Sequence, residues 1–392
     1  MKQKLYKKTI SCLALSACFS MYSCQKEEFQ PSTAAETTSI SNATQAKNKI
    51  EGQYIVVLKK SNTKVNRIVN ALIVKGIITP INSSDLLEGA VNGFVAKLTP
   101  QQVARLEKHP DIAYIEQDQV ITSQAVMTTD SAAEETYSAL PGETIPQGVG
   151  MLGYSDGTGK TAWVIDSGVD LNNPDLNVDV ARSKSFLTTT SVQDGFGHGT
   201  AVASIIGAKN DGAGIIGVAA NATIVALRVS DDAGAGTVSN AIKAVNQVNT
   251  YGKAGDVVNI SLASGASAAF DSAVKTVAAK GIFVAIAAGN SGVDCSTTSP
   301  QRVNALNVYT VSAMDYNKNF WTSSNFGSPV DRCAPGVNIT ALKIGGGTKL
   351  VTGTSFATPH VAGLLLLQGN AMGNMGYVTG DKDSTPDLIP HL

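Results

Sequence analysis

The segment GTSFATPHVAG, residues 353–363, places a Thr-Ser pair between a glycine and a run of small and apolar residues. Gly353 permits a tight turn, and the pattern that follows predicts a helix over residues 355–369. Ser355 would begin this helix, so its backbone N–H would point toward incoming negative charge. A serine that merely caps a buried helix has the same local pattern. The function of the segment therefore depends on the rest of the chain.

Two motifs upstream supply the partners that a reactive serine needs. VIDSG, residues 164–168, places Asp166 directly after a predicted strand, and GHGT, residues 197–200, places His198 at the start of a predicted helix. A serine hydroxyl needs a base to take its proton, and that base needs a carboxylate that fixes its tautomer and stabilises its charged form. Asp166, His198 and Ser355 form such a set.

Four histidines are available as the base. His109 lies in the N-terminal part of the chain, His391 is next to the last residue, and His360 lies on the same predicted helix as Ser355, turned away from its hydroxyl. His198 is the candidate that remains. Asp166 has an alternative role, capping the turn that follows it.

From about residue 145, short apolar strands alternate with amphipathic helices, which predicts an α/β domain with a mostly parallel sheet covered on both faces. The predicted strands are 161–165, 223–229, 257–262, 282–288 and 307–313. The predicted helices are 200–206, 238–247, 269–279 and 355–369. Functional groups gather at the carboxyl ends of strands in such sheets, where Asp166 lies.

The N-terminal part predicts a signal, a tether and a small domain. A basic stretch, an apolar stretch and Cys24 make residues 1–24 similar to a bacterial lipoprotein signal with Cys24 lipidated; an ordinary secretory signal is the alternative. Residues 25–49 predict a flexible tether. Residues 50–121 predict a small α+β, ferredoxin-like domain in the order β-α-β-β-α-β, and 122–144 a linker before the domain 145–392.

The composition excludes other classes of function. The 392 residues carry 30 basic and 31 acidic side chains, a balance that provides no field for nucleic acid. Beyond the N-terminus no apolar run approaches the roughly 20 residues of a membrane-spanning helix. Only Cys295 and Cys333 lie in the body of the chain, and the sequence leaves open whether they pair.

The three motifs, in the order Asp, His, Ser, resemble the subtilase family of serine peptidases over roughly residues 145–370, nearest the proteinase K branch. The resemblance implies a subtilisin-like three-layer fold and peptide-bond hydrolysis through an acyl-enzyme. Asn290, at the end of AAGN, would donate to the oxyanion together with the Ser355 N–H. The implied substrate-binding residues are Ser261, Leu262, Ala263, Ser264, Gly265, Gly236, Ala287, Ala288 and Gly289. Ala263 and Ser264 replace frequent glycines, which would narrow the primary pocket.

Residues 52–121 resemble the inhibitor-type propeptide of the same family. The resemblance implies a chaperone and inhibitor within the chain, which the enzyme itself cuts off between about Ile121 and Glu135. The lipid would stay with the propeptide, and a soluble, monomeric endopeptidase would act on proteins or peptides outside a bacterium or at its surface.

Catalysis of this kind needs no cofactor. Asp331 and the carbonyl groups of Leu306 and Val308 resemble a structural Ca²⁺ site of the proteinase K branch; a plain surface aspartate is the alternative. Cys295 resembles a disulfide cysteine of that branch, but Cys333 is displaced from the expected partner position.

Two readings from other classes remain. A binding module with this fold would cut nothing, although its intact site argues against it. A lipid-anchored protease inhibitor would act through the N-terminal domain and would not process itself.

Overall fold

The computed structural model describes residues 48–59, 64–122, 126–127 and 141–392. The predicted signal with Cys24, nearly all of the tether and most of the linker lie outside the described residues. No helix in the described ranges is long and apolar enough to cross a membrane.

The N-terminal unit has the predicted order β-α-β-β-α-β. Its elements are β1 (Lys49–Leu58), α1 (Val65–Val74), β2 (Leu86–Leu87), β3 (Gly93–Lys97), α2 (Pro100–Glu107) and β4 (Ile112–Thr122). The strands are antiparallel in the order β4-β1-β3-β2. Thr99 starts α2 with a capping box, accepting a hydrogen bond from the Gln102 N–H while the Gln102 side chain accepts from the Thr99 N–H. The sequence predicts a short last strand over residues 112–115, which is wrong, because β4 continues to Thr122 and its end pairs with a segment far along the chain.

A nine-stranded sheet forms the centre of the second unit. Its strands are β5 (Thr161–Asp166), β6 (Lys184–Ser185), β7 (Thr223–Arg228), β8 (Val257–Ile260), β9 (Phe283–Ala287), β10 (Val308–Met314), β11 (Val330–Pro335), β12 (Gly373–Tyr377) and β13 (Leu388–His391). They lie in the order β12-β13-β11-β10-β9-β8-β5-β7-β6. Every neighbouring pair is parallel except β12 and β13. The mostly parallel sheet is therefore confirmed.

Over the described residues 141–392, five helices accompany this sheet: α3 (Gln147–Leu152), α4 (His198–Gly207), α5 (Val238–Tyr251), α6 (Ala268–Ala278) and α7 (Thr354–Gln368). The alternation of side chains along β5 assigns them to two layers. Ala162 and Val164 belong to one hydrophobic core with α4 and α7, whereas Trp163 and Ile165 belong to the other with α5 and α6. The three-layer α/β fold is confirmed.

Shorter elements complete the unit. Beyond the nine-stranded sheet, the strands Ile339–Leu342, Thr348–Thr352 and Val126–Met127 form a three-stranded sheet, Ala235–Thr237 pairs with β4, and Ser264–Gly265 pairs with Thr298–Ser299. Glu143–Thr144 pairs with Gly214–Ile215, and Ser155–Asp156 with Ala219–Ala220. Single 3₁₀ turns lie at Ser83–Asp85, Cys295–Thr297 and Gly369–Ala371.

The second core is shared between the two units. The N-terminal sheet packs its own helices against one face, with Val56 and Phe94 in that small core. Its other face contributes Ile55, Val57 and Val95 to the core that contains α5 and α6. The N-terminal unit thus covers the outer side of these two helices.

Cys295 and Cys333 are both free and buried. Cys333 lies in β11 within the main core, and Cys295 lies in a separate 3₁₀ turn. Burial raises the pKa of the Cys295 thiol to about 12, so this side chain behaves as a small apolar group. The disulfide that the sequence left open is not formed.

Candidate active site

Asp166 and His198 meet at the carboxyl end of β5. Asp166 is the last residue of the strand and His198 the first residue of α4, and both are fully buried. His198 Nδ1 lies 2.8 Å from Asp166 Oδ1 and 2.9 Å from Oδ2. A carboxylate only accepts, so Nδ1 carries the proton and Nε2 has the basic lone pair. Among the described residues, His198 Nε2 has no hydrogen-bond partner.

Close packing explains the glycine that follows His198. A Cβ on Gly199 would lie 2.0 Å from the carbonyl oxygen of Gly168, in the loop that follows Asp166. Any larger residue would push α4 away from β5 and so separate His198 from Asp166.

Asp194 links the loop after Asp166 to the start of α4, and the sequence analysis did not predict this role. Its Oδ1 accepts hydrogen bonds from Ser167 Oγ at 2.9 Å and from the N–H of Gly197 at 2.8 Å. Its Oδ2 accepts from the Thr200 N–H at 2.9 Å and from Thr200 Oγ1 at 2.6 Å. Asp194 therefore ties the loop after Asp166 to the first turn of α4. The available signal was an acidic residue shortly before a predicted helix start.

Ser355 lies in the first turn of α7, which confirms its predicted place at the start of that helix. Its side chain is buried, and Oγ lies 3.5 Å from the carbonyl oxygen of Ser261, a long contact. The ring of the next residue, Phe356, packs 5.2 Å from the His198 ring, centre to centre. The helix that carries Ser355 thus contacts the imidazole directly.

Pro359 lies inside α7 and has no N–H to offer the carbonyl group of Ser355, four residues earlier. The hydroxyl group of Ser261 donates to that carbonyl oxygen instead, at 3.1 Å. Ser261 therefore supports the backbone of the candidate nucleophile. His360, on the same helix, is fully buried, and its Nδ1 lies 2.8 Å from the Phe356 carbonyl oxygen. Burial lowers the pKa of His360 to about 4, so it is a neutral core residue.

Asn290 follows β9 and contacts the start of α7. Its Oδ1 accepts hydrogen bonds from the Thr354 N–H at 2.9 Å and from Thr354 Oγ1 at 2.7 Å. Thr354 Oγ1 in turn accepts from the Gly289 N–H at 3.0 Å. Because the oxygen of the amide faces Thr354, its nitrogen forms the other end of the group and only donates. Sequence reasoning gave no role to Thr354, which orients Asn290.

Asn325 supports the same loop. Its Nδ2 donates to the Ala288 carbonyl oxygen at 2.9 Å, and its Oδ1 accepts from the N–H groups of Ser291 and Val293. A Cβ on Gly289, whose φ is +107°, would lie 2.4 Å from Asn325 Nδ2. No pattern in the sequence indicated Asn325, because its partners lie more than 30 residues away.

The predicted substrate-binding residues Gly236 and Ala263 lie in two segments of the chain, and the end of β4 runs between these cleft segments. Ile121 pairs with Gly236 on one side, and Thr122 bridges Ala263 on the other. The N-terminal unit thus lies in the cleft as an added strand. A small cavity of about 10 Å³ is lined by Thr122, Ser261, Leu262, Ala263, Ala287, Gly289, Asn290, Thr354 and Ser355.

Besides Gly236, three of the predicted substrate-binding residues do not line this small cavity. Ser264 and Gly265 pair with Thr298–Ser299, and the Ala288 N–H donates to the Val311 carbonyl oxygen in the sheet. A much larger cavity, of about 840 Å³, lies beside Asp85 and Lys243, away from Ser355. We assign the chemistry to the small one because it contains the candidate nucleophile.

Two carboxylates of β4 cap helices of the second unit. Glu116 accepts from Ser267 Oγ and from the Ala268 N–H at the start of α6. Asp118 accepts from the Ser239 N–H at 3.0 Å and from Ser239 Oγ at 2.6 Å at the start of α5. Burial raises the pKa of Glu116. Both carboxylates complement the positive ends of the helix dipoles.

Acidic groups elsewhere bear on the question of a metal. Burial raises the pKa of Asp331 to about 6, and its Oδ2 accepts from the Thr310 N–H. Burial and the charges of Asp211 and Glu143 raise the pKa of Asp175 to about 7. Glu143 Oε1 and Asp175 Oδ1 are buried and have no partner among the described residues. Within those residues, no group of three or more His, Cys, Asp or Glu side chains is placed to hold a metal.

The comparisons with known proteins agree with this geometry. The model of the subtilase family, Peptidase_S8, matches residues 157–379, and that of the peptidase inhibitor I9 matches residues 84–124. The chain belongs to the subtilase family. It is a subtilisin-like serine peptidase that carries an I9-type propeptide, which confirms the resemblance drawn from the three motifs.

Particular relatives are similar over most of the chain. Alkaline serine protease ver112 of Corniculantispora psalliotae is 36% identical over 83% of this chain and 83% of its own length. Proteinase R of Parengyodontium album is 35% identical over 69% of this chain and 68% of its own. The crystal structure of a cold adapted subtilisin-like serine proteinase superposes with a TM-score of 0.53 at 35% identity, covering 60% of this chain and 89% of that one.

Proposed function

We propose that Asp166, His198 and Ser355 are the catalytic triad of this peptidase. The observation that carries the proposal is the buried His198–Asp166 pair. His198 Nδ1 lies 2.8 Å from Asp166, while Nε2, beside the helix of Ser355, has no partner in the described ranges. Ser355 Oγ attacks the peptide carbonyl, and His198 Nε2 accepts its proton. His198 then gives the proton to the leaving amine, and water completes the second half-reaction in the same way. Asn290 Nδ2 and the Ser355 N–H stabilise the oxyanion.

The experiment is labelling with a serine-directed phosphonyl inhibitor. We expect one label on Ser355 in the processed protein, and neither label nor casein clearing by the Ser355→Ala variant. Protein that takes up no label and clears no casein would favour a binding module. A wild-type chain that does not cut itself would favour the inhibitor reading. Active, processed protein without label on Ser355 would refute the triad.

The enzyme cuts its own chain between Thr122 and Val126. On one side of the site, Ile121 and Thr122 pair with the cleft segments at Gly236 and Ala263. On the other side, Val126–Met127 pairs with Val351 and Thr352, directly before α7. These pairings support a narrower range than the sequence gave. Amino-terminal sequencing of the processed enzyme tests it, and a start beyond residue 126 would contradict it.

The enzyme is exported from a bacterium and acts outside the cell or at its surface. The leader supports this proposal, with Cys24 as the lipidated residue. Because the cut lies after Thr122, the lipid would remain on the propeptide and the catalytic domain would be released as a monomer. Intact mass of the two fragments tests this, and a lipid mass on the catalytic fragment would overturn it.

Calcium stabilises the fold without taking part in the chemistry. The predicted site, Asp331 with the carbonyl groups of Leu306 and Val308, offers one buried carboxylate. Glu143 and Asp175 fit a hard cation better, since each presents a buried oxygen that has no partner within the described part of the chain. The remaining ligands at either place would be carbonyl oxygens or water. A melting temperature in EDTA equal to that in Ca²⁺ would contradict both sites.

A further inference from the structure

Helix α5 binds the turn at residues 89–92 of the N-terminal unit through one side chain. Asn246 Oδ1 accepts a hydrogen bond from the Val91 N–H at 3.0 Å, and Asn246 Nδ2 donates to the Val91 carbonyl oxygen at 3.1 Å. Both residues are buried, at 5% and 4% exposure. The side-chain amide thus pairs with both the N–H and the C=O of Val91, as a neighbouring β-strand would.

The turn is shaped to fit this contact. Gly89 has φ +140°, and a Cβ there would lie 3.3 Å from the Asn246 carbonyl oxygen. The Gly89 N–H donates to Asn92 Oδ1 at 3.1 Å, which closes the turn before β3. The Val91 side chain joins the hydrophobic core that contains Val245. A larger residue at position 89 would hold the turn off the helix.

A second contact lies one turn earlier on the same face of α5. Lys243 Nζ is 3.2 Å from Asp85 Oδ1, just before β2. Positions 243 and 246 are neighbours on a helix surface, so α5 presents one continuous face to residues 85–91. This face is separate from the cleft and from the β4 carboxylates, and it would keep its partner after the chain is cut.

We propose that Asn246, supported by Lys243, determines how tightly the cut propeptide stays bound, and so how long the enzyme remains inhibited. The inference rests on the proposed function, since it concerns the same enzyme after self-processing. Cleft and α5 face are contacted by one folded unit, so each contact raises the effective concentration of the other. Loss of Asn246 would leave a buried N–H and a buried C=O of Val91 without partners.

The test uses the full chain, allowed to process itself and then diluted in steps. Activity on a small chromogenic peptide, recorded at early times, gives the concentration at which half of the propeptide has dissociated. We expect Asn246→Ala to raise this concentration about 10- to 100-fold. Asn246→Asp keeps the shape but faces the Val91 carbonyl oxygen with a second acceptor, so we expect at least the same shift. Asn249→Ala, on the same helix, is the matched control.

The outcomes separate the two hypotheses. Activity at the highest dilution reports the amount of folded enzyme and normalises each variant. Midpoints of both Asn246 variants within twofold of the wild type would overturn the inference, as would an equal shift in Asn249→Ala. A wild-type chain that neither cuts itself nor hydrolyses the peptide at any dilution would count against the proposed function instead.

Discussion

Asp118 allows the strongest prediction about the inhibited complex. Its carboxylate is fully buried and accepts from the Ser239 N–H, from Ser239 Oγ and, at 2.6 Å, from Gln53 Nε2. Replacement by alanine removes a helix cap, a contribution of about 1 kcal/mol. It also removes a charge at a helix N-terminus, about 0.5–2 kcal/mol, and leaves buried donors unpaired, about 1–3 kcal/mol. These terms overlap, so we expect a net loss of about 3 kcal/mol.

A loss of about 3 kcal/mol corresponds to roughly 100-fold weaker binding of the propeptide. Such differences fall mostly on the dissociation rate. After dilution of the processed complex, activity of Asp118→Ala should therefore appear about 100 times faster than that of the wild type. Asp118→Asn keeps one acceptor oxygen and should lie between the two.

Asp111→Ala is the matched control for this experiment. Asp111 is a half-exposed acid of the same unit, and its carboxylate lies 3.9 Å from His109 within that unit. It should leave the rate of appearance unchanged. A rate for Asp118→Ala within threefold of the wild type would refute the reasoning, as would an acceleration by Asp111→Ala of equal size.

Three further predictions concern the catalytic domain. Asn290→Ala should lower kcat about 10²- to 10³-fold with little change in KM, because the oxyanion loses one hydrogen-bond donor. Steady-state kinetics on a peptide substrate check this, and a decrease in kcat of less than fivefold would exclude the assigned role. Asp166→Asn should lower kcat about 10⁴-fold, since the amide no longer selects the reactive tautomer of His198; a thermal melt confirms that the variant is folded, and a folded variant with near wild-type kcat would contradict the triad. Burial raises the pKa of Asp175 from 3.8 to about 7, so over this pH range only the native state retains the proton. Without Ca²⁺, the free energy of unfolding measured in urea titrations should therefore fall as the pH rises from about 4 to about 7. Asp175→Asn should flatten this slope, and an unchanged slope would show that the group does not titrate as described.

Local patterns in the sequence predicted much of the fold and the candidate site. The short apolar run that ends at Asp166 and the run of small and apolar residues after Gly353 are strong local signals, and both elements lie where expected. The motifs around His198 and Asn290 also combine glycines with one polar residue. Each of these signals lies within a few neighbouring residues, which is the range that a sequence pattern can report.

The residues that the sequence did not indicate act over long separations. Asp118 and Ser239 are 121 residues apart, and Asn246 and Val91 are 155. An aspartate on a strand or an asparagine on a helix looks like an ordinary solvated residue until the fold supplies its partner. The extra length of β4 has the same cause, because its last residues pair with Ala235–Thr237.

Because β1, β3, α5 and α6 share one hydrophobic core, the stability of the catalytic domain depends on whether the N-terminal unit is still bound. While the N-terminal unit is bound, it keeps the apolar outer side of these two helices out of water. Once that unit has been digested, this apolar area faces water, so we expect the free energy of unfolding of the catalytic domain to fall. A mature molecule that is denatured would have to refold without this surface, so we expect it to recover less activity on refolding than the full chain does.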